Sequence, residues 1–134
     1  MLKHAVKTSD HTQFLDITQT VQQLVNREKW KNGVLTIFVP HTTAGLTINE
    51  NADPDVLRDM TNALERTIPW QHPDYRHFEG NTPAHVKTSI MGSSEQVLVD
   101  QGKLQLGRWQ GIYFAEFDGP RHRQIWLSFN APAD

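Results

Sequence analysis

The chain has 134 residues, with thirteen Lys and Arg against fifteen Asp and Glu, a formal charge of −2 and 37% hydrophobic residues. That length points to one domain, 1–134, with a real core, and the near-neutral charge offers no general electrostatic handle for nucleic acid or an anionic membrane surface. The lack of cysteine excludes disulfides, thiolate nucleophiles, iron–sulfur clusters and thiolate zinc sites, which leaves His, Asp and Glu as metal ligands.

Near the start, Leu2, His4 and Val6 alternate with Lys3, Ala5 and Lys7, the period of a strand with one wet face. From Ile17, apolar residues at Val21, Leu24 and Val25 predict an amphipathic helix stopped by Asn32-Gly33. Val34 to Val39 is β-branched or aromatic at nearly every position, which predicts a strand buried on both faces and ended by Pro40. After a turn at Ala44-Gly45, Leu46 to Glu50 alternates again. Asp53, Pro54 and Asp55 then read as N-cap, first helical residue and first-turn acid of a helix that runs to Ile68 and stops at Pro69. Trp70 to Gly80 is a polar, aromatic, His-bearing loop. Thr82-Pro83 has the form of an N-cap and first helical residue, so the segment to Gly92 is a short helix or, in competition, a strand. The last third is strand-like: Gln96 to Val99, a Gln101-Gly102 turn, Gln110 to Asp118, a Gly119-Pro120 turn, and Arg121 to Phe129. Short turns between strands predict an α+β domain with antiparallel pairing. No apolar run approaches the ~20 residues that span a bilayer, so a soluble cytoplasmic protein is expected.

Chemistry is sought where the pattern is broken. Strand parity places Glu50 with Leu46 and Ile48, and Glu116 with Ile112 and Phe114. A carboxylate on an apolar face must be paired, bind a cation or take up a proton; the bland alternative is a frayed, wet strand end. His41-Thr42-Thr43 follows the buried strand at a sheet edge, where an imidazole and two hydroxyls suit an anion or a proton transfer, although threonines there also serve as turn caps. Of seven His, four (His41, His72, His77 and His85) lie in the middle third. His77 and His85, with Asn81 between them, fit no common zinc motif, but a metal site from separate segments, His77 and His85 completed by His41 or Glu50, is open, against ordinary solvated histidines. Arg121 and Arg123 share a face beside Asp118, and paired guanidinium forks suit phosphate oxygens. No Walker loop, dinucleotide fingerprint, HExxH or GxSxG occurs, so no nucleotide cofactor is expected.

These residues also carry a resemblance. His41 through Asn51, Asp53-Pro54, Gly80, His85-Val86-Lys87, Gly92-Ser93-Ser94, Leu106-Gly107, Trp109-Gln110-Gly111-Ile112, Glu116 and Gly119-Pro120-Arg121 closely resemble the YjbQ family of small bacterial and archaeal proteins. The resemblance spans essentially the whole chain, most firmly Val34 to Leu127. It implies an antiparallel β-sandwich of about seven strands with two or three outer helices, assembled as a homotrimer. It also implies the activity attributed to the family, a secondary thiamine-phosphate synthase that joins a pyrimidine methyl diphosphate to a thiazole phosphate with release of diphosphate. On that reading His41, Glu50 and His85 are the catalytic candidates, and Thr42, Thr43, Asn49, Asn81, Glu116 and Arg121 the substrate-binding ones. Magnesium held by Glu50, Glu116 or Asp118, or zinc held by the histidines, is the implied ion. Two departures stand out: Ala52 replaces a cysteine of some members, which removes any thiol-dependent mechanism, and Arg108 replaces a common threonine. A metal-dependent phosphoester hydrolase and a non-catalytic trimer that binds a small anion or metal are the competing functions.

Overall fold

The computed structural model describes residues 1–133; residue 134, the last of the expected domain, lies outside the described residues. The N-terminal alternation forms β1 (Leu2–Lys7), followed by β2 (Gln13–Asp16), α1 (Thr18–Glu28), β3 (Gly33–Phe38) and β4 (Ala44–Glu50). Two helices come next, α2 (Pro54–Thr67) and α3 (Thr82–Met91), and then β5 (Ser94–Asp100), β6 (Lys103–Gln105), β7 (Gln110–Glu116) and β8 (His122–Asn130).

The strands form two antiparallel sheets, one of order β1-β8-β3-β5-β6 and one of order β2-β7-β4. Their inner faces close on a common core. Leu35, Ile37, Val97, Val99, Ile125 and Leu127 come from the larger sheet, Leu46, Ile112 and Phe114 from the smaller, and Val21, Leu24 and Val25 from α1. The outer face of the smaller sheet carries a second cluster, Ala115 and Phe117, which packs with Ala84 of α3 and with Leu64, Trp70 and Met91. The expected α+β class with antiparallel sheets is therefore what forms, with eight strands and three helices.

Several local expectations are corrected. The helix α1 ends on Lys29 in the left-handed conformation (φ 58°), whose N–H reaches back to Asn26 and Val25 carbonyls, so the stop precedes Asn32-Gly33. Only one face of β3 is covered, since Leu35 and Ile37 are buried while Phe38 is 39% exposed. Residues 82–91 are helical, with Asn81 rather than Thr82 at the N-cap position. Proline needs no N–H in a first turn, and Ala84 buries its face against β7, which favours the helix over the competing strand.

The helix α2 follows expectation: the Asp53 carboxylate accepts from the Asp55 N–H at 2.9 Å, with Pro54 at the start. Its apolar stripe of Val56, Leu57, Met60 and Leu64 is only half-buried, and no residue of the helix is fully covered. Lys87 of α3, almost wholly buried, donates to Glu65 of α2 at 2.6 Å and ties the two helices together. At the far end of α3, Leu46 N–H donates to the Gly92 carbonyl at 3.0 Å. Gly45 makes that approach possible, because a Cβ there would stand 2.6 Å from the same carbonyl oxygen. Replacing Asp53 by Ala should remove the cap and lower stability by about 1 kcal/mol; urea unfolding followed by circular dichroism measures it, and an unchanged midpoint would show that the cap contributes nothing.

Candidate functional site

Strand parity decides the centre of the site. Glu116, on the inward face of β7 with Ile112 and Phe114, is completely buried. Arg123, on the inward face of β8, lies across the gap between the sheets and donates from Nε to Glu116 Oε1 at 2.8 Å and from Nη2 to Oε2. Thr8 Oγ1 adds a bond to Oε1 at 2.7 Å and the Asp118 N–H one to Oε2 at 3.0 Å. Burial alone would raise the Glu116 pKa, but these hydrogen bonds and the charge of Arg123 hold it below the ordinary carboxylate value. The apolar-face carboxylate is thus a paired anion.

With both oxygens committed, Glu116 does not line the cleft, where a substrate-binding role was expected to place it. It fixes Arg123 instead. Nη2 of Arg123 also donates to Thr43 Oγ1 at 2.9 Å. Among the described residues Nη1 then has no hydrogen-bond partner, and Arg123 lines the cleft. The cleft has a volume of about 690 Å³ and is walled by the β3–β4 connection, the loop before α3, the start of α3 and the β7–β8 turn.

The turn supplies the second arginine. Arg121 donates to Asp118 from Nε (backbone oxygen, 2.7 Å) and from Nη2 (Oδ2, 3.0 Å). Asn81 Nδ2 donates to the same Oδ2 at 2.9 Å, while Asn81 Oδ1, buried in the wall, has no partner. The Asp118 contact fixes the amide orientation, since the reverse would face oxygen to oxygen. Gly119 lets the turn close over this network, because a Cβ there would stand 2.3 Å from the Asp10 carbonyl oxygen.

His41 is placed by the end of β3. Pairing with β8 stops at Phe38↔Trp126. The N–H of Gln124 beyond it donates to His41 Nε2 at 2.9 Å. A nitrogen that accepts an N–H carries no proton, so the ring is the neutral Nδ1–H tautomer. Burial and the charge of Arg123 lower its pKa, more than Glu116 raises it. His41 is therefore an N–H donor with its other nitrogen used. His77 and His85 sit edge to face with ring centroids 5.4 Å apart.

Seven of the expected site residues come together: His41, Thr42, Thr43, His77, Asn81, His85 and Arg121 all line the cleft. Glu50 and Asn49 do not. They sit at the opposite end of β4, where Glu50 is half-buried and accepts from the Ala52 N–H, and Asn49 Oδ1 accepts from the Glu50 N–H. The parity of Glu50 reflects a strand end, and the structure does not bring this expected catalytic residue together with His41 and His85 at the cleft. Ala52 and Arg108 belong to the same remote end; Arg108 lies 4.7 Å over the Trp109 ring. The metal assignment also changes. Among the described residues no three His, Asp or Glu groups converge to hold an ion, and Nε2 of His41 is committed, so the three histidines do not fit a metal as they stand. Of the candidate magnesium carboxylates only Asp118 reaches the cleft. Ser93, which lies in the Gly92-Ser93-Ser94 motif but was not among the expected site residues, also lines it, as does Glu79, for which the pattern held no signal.

A fold of two antiparallel sheets whose mouth holds a polar, arginine-bearing cleft defines the class. Residues 3–131 match the family described as UPF0047 protein YjbQ-like. The chain is 49% identical to the UPF0047 protein YugU of Bacillus subtilis over 91% of this chain and 92% of that one. It is 46% identical to the UPF0047 protein MJ1081 of Methanocaldococcus jannaschii over 95% and 91%. A crystal structure of an uncharacterized conserved protein of the yjbq/upf0047 family from Clostridium acetobutylicum superposes with a TM-score of 0.92 at 50% identity, covering 97% of this chain and 100% of that chain. A conserved hypothetical protein from Thermus thermophilus gives 0.91 at 39%, covering 97% and 100%. The chain belongs to the YjbQ family.

Changing Glu116 to Gln leaves Arg123 buried without its counter-ion and should lower unfolding free energy by about 3–5 kcal/mol at neutral pH. In the native protein the stabilisation from a lowered carboxyl pKa is present above the ordinary value of 4.5 and is lost as pH falls through the lowered one. Urea titrations across that range should show a steeper acid loss for the native protein than for Glu116→Gln; parallel curves would remove Glu116 as the cause.

Proposed function

We propose that the cleft binds the phosphate group of a small phosphorylated substrate and that the protein is a transferase of the secondary thiamine-phosphate synthase type. The observation that carries the binding step is the Arg123 guanidinium, oriented by a buried carboxylate and left with Nη1 open beside the cleft. An arginine fixed before the ligand arrives loses little freedom on binding it. Arg121 and the Nδ1–H of His41 add donors around the same space.

In the proposed reaction the thiazole nitrogen attacks the pyrimidine methylene carbon, the new C–N bond forms, and the C–O bond to diphosphate breaks. The departing diphosphate takes the electron pair, so the barrier depends on donors aimed at its oxygens. Arg123, Arg121 and His41 occupy that role. His85, whose ring nitrogens have no hydrogen-bond partner among the described residues, is the group available to move a proton to the leaving group. No step is routed through a metal.

The competing reading is an anion-binding protein without turnover. It is favoured by the commitment of Glu116 and of His41 Nε2 to structure, which leaves few groups free to transfer protons. Formation of thiamine phosphate from the two phosphorylated halves by purified protein with magnesium separates the two. Product should form, and both Arg121→Ala and His85→Ala, with fold verified, should lower turnover by ~10²-fold or more. No product, together with calorimetric binding of inorganic diphosphate, would establish the binding protein instead.

The homotrimer implied by the family resemblance is also proposed. Its support is apolar surface left open on one chain: the half-buried stripe of α2, Ile90 of α3 at 63% exposure and Leu98 of β5 at 61%. Light scattering should return three times the chain mass; the mass of one chain would overturn the assembly.

A further inference from the structure

We infer that the ligand has two parts, and that a second, smaller cleft against the C-terminal half of α3 takes an uncharged group, joined to the phosphate, that both donates and accepts hydrogen bonds. The inference rests on the reading of the larger cleft as a phosphate site. The second cleft has a volume of about 360 Å³ and shares His41, Thr42, His85 and Ser93 with the first. Its remaining walls are Thr88, Ser89 and Gly92. None of these is Asp, Glu, Lys or Arg, whereas the larger cleft contains Arg121, Arg123, Asp118 and Glu79. One compartment is thus ionic and the adjoining one neutral and rich in hydroxyls. His85 stands in both, where a bond between an anionic head and a neutral group would lie.

Thr88 identifies the smaller compartment as more than a surface dip. A hydroxyl inside a helix ordinarily donates to the carbonyl four residues back. Thr61 does so to Leu57 at 2.9 Å, Thr67 to Ala63 at 2.8 Å and Ser89 to His85 at 3.1 Å. Thr88 is only 8% exposed, and its Oγ1 has no hydrogen-bond partner among the described residues. Buried hydroxyls are nearly always satisfied, and one that forgoes the available carbonyl is suited to a partner from outside the chain. Ser89, having donated, still offers lone pairs. The floor is held still, because Gly92 and Ser93 carbonyls accept from Leu46 and Val39 N–H groups at 3.0 and 2.7 Å. A neutral group with a donor and an acceptor of its own, a hydroxyl among them, can both donate to Ser89 and accept from Thr88; a purely apolar group of equal size would leave Thr88 unsatisfied.

Calorimetry with three probes tests this on the full chain: inorganic phosphate, methyl phosphate and glycerol 2-phosphate. Glycerol 2-phosphate should bind about fivefold or more tightly than methyl phosphate, the gain from one or two well-placed hydrogen bonds. Thr88→Val should erase that difference while leaving the inorganic phosphate affinity unchanged, and Thr88→Ser should keep it, which separates lost hydrogen bonding from altered packing. Equal affinities for the two esters in the native protein, or a difference that survives Thr88→Val, would overturn the two-part ligand while leaving the phosphate site standing. No binding of any of the three probes would overturn the phosphate reading and this inference with it.

Discussion

The buried pair between Glu116 and Arg123 is the constraint on which the rest of the structure depends. It bridges the inward faces of the two sheets at the end where hydrophobic packing stops, and it draws in Thr8, Thr43 and the backbone of Asp118. Four donors on one carboxylate leave it no capacity to act as an acid or base, and that saturation is what makes the charge tolerable without water. An apolar residue at position 116 would match its neighbours on the inward face of β7 but leave Arg123 buried without its counter-ion. It would leave Arg123 free to turn, and the cleft would lose the fixed direction of its guanidinium.

The same pair shows how a nearly neutral protein could present the anion site proposed here. Each cleft arginine is accompanied by a carboxylate, Glu116 behind Arg123 and Asp118 behind Arg121. The attraction for an anion therefore comes from oriented N–H groups at short range, with little contribution from a surplus of positive charge. Such a site discriminates by geometry, and its affinity should depend less on ionic strength than that of an exposed basic patch.

Much of this was legible in the residues, and the failures have physical causes. Parity identified Glu116 because β7 is buried on both faces, so a carboxylate there had to be answered by a partner. The same logic failed at Glu50, since β4 runs out of the core before that residue and the face is already wet. The strands β2 and β6, of four and three residues, are too short to show a period and exist because longer neighbours supply the pairing. His41, Thr42, Thr43, Asn81, His85 and Arg121 announced themselves by clustering near a strand end, a helix start and a turn. Thr88 did not, because its significance lies in a hydrogen bond left unmade. Nothing in a linear pattern distinguishes a threonine that bonds its own helix from one that does not.

The hydrogen bond from the Gln124 N–H to His41 has a thermodynamic consequence of its own. A side chain that must be immobilised when a ligand binds costs about 0.5–1.5 kcal/mol of conformational entropy. The imidazole of His41 is immobilised when β8 pairs, so that loss belongs to folding and does not recur at each binding event. The ring completes a sheet whose ladder ran out at Phe38, and its Nδ1 keeps the proton in a single tautomer. The entropy of the binding site is in this respect carried by the stability of the fold, and a sequence change that loosened the β3–β8 edge would weaken a ligand it never touches.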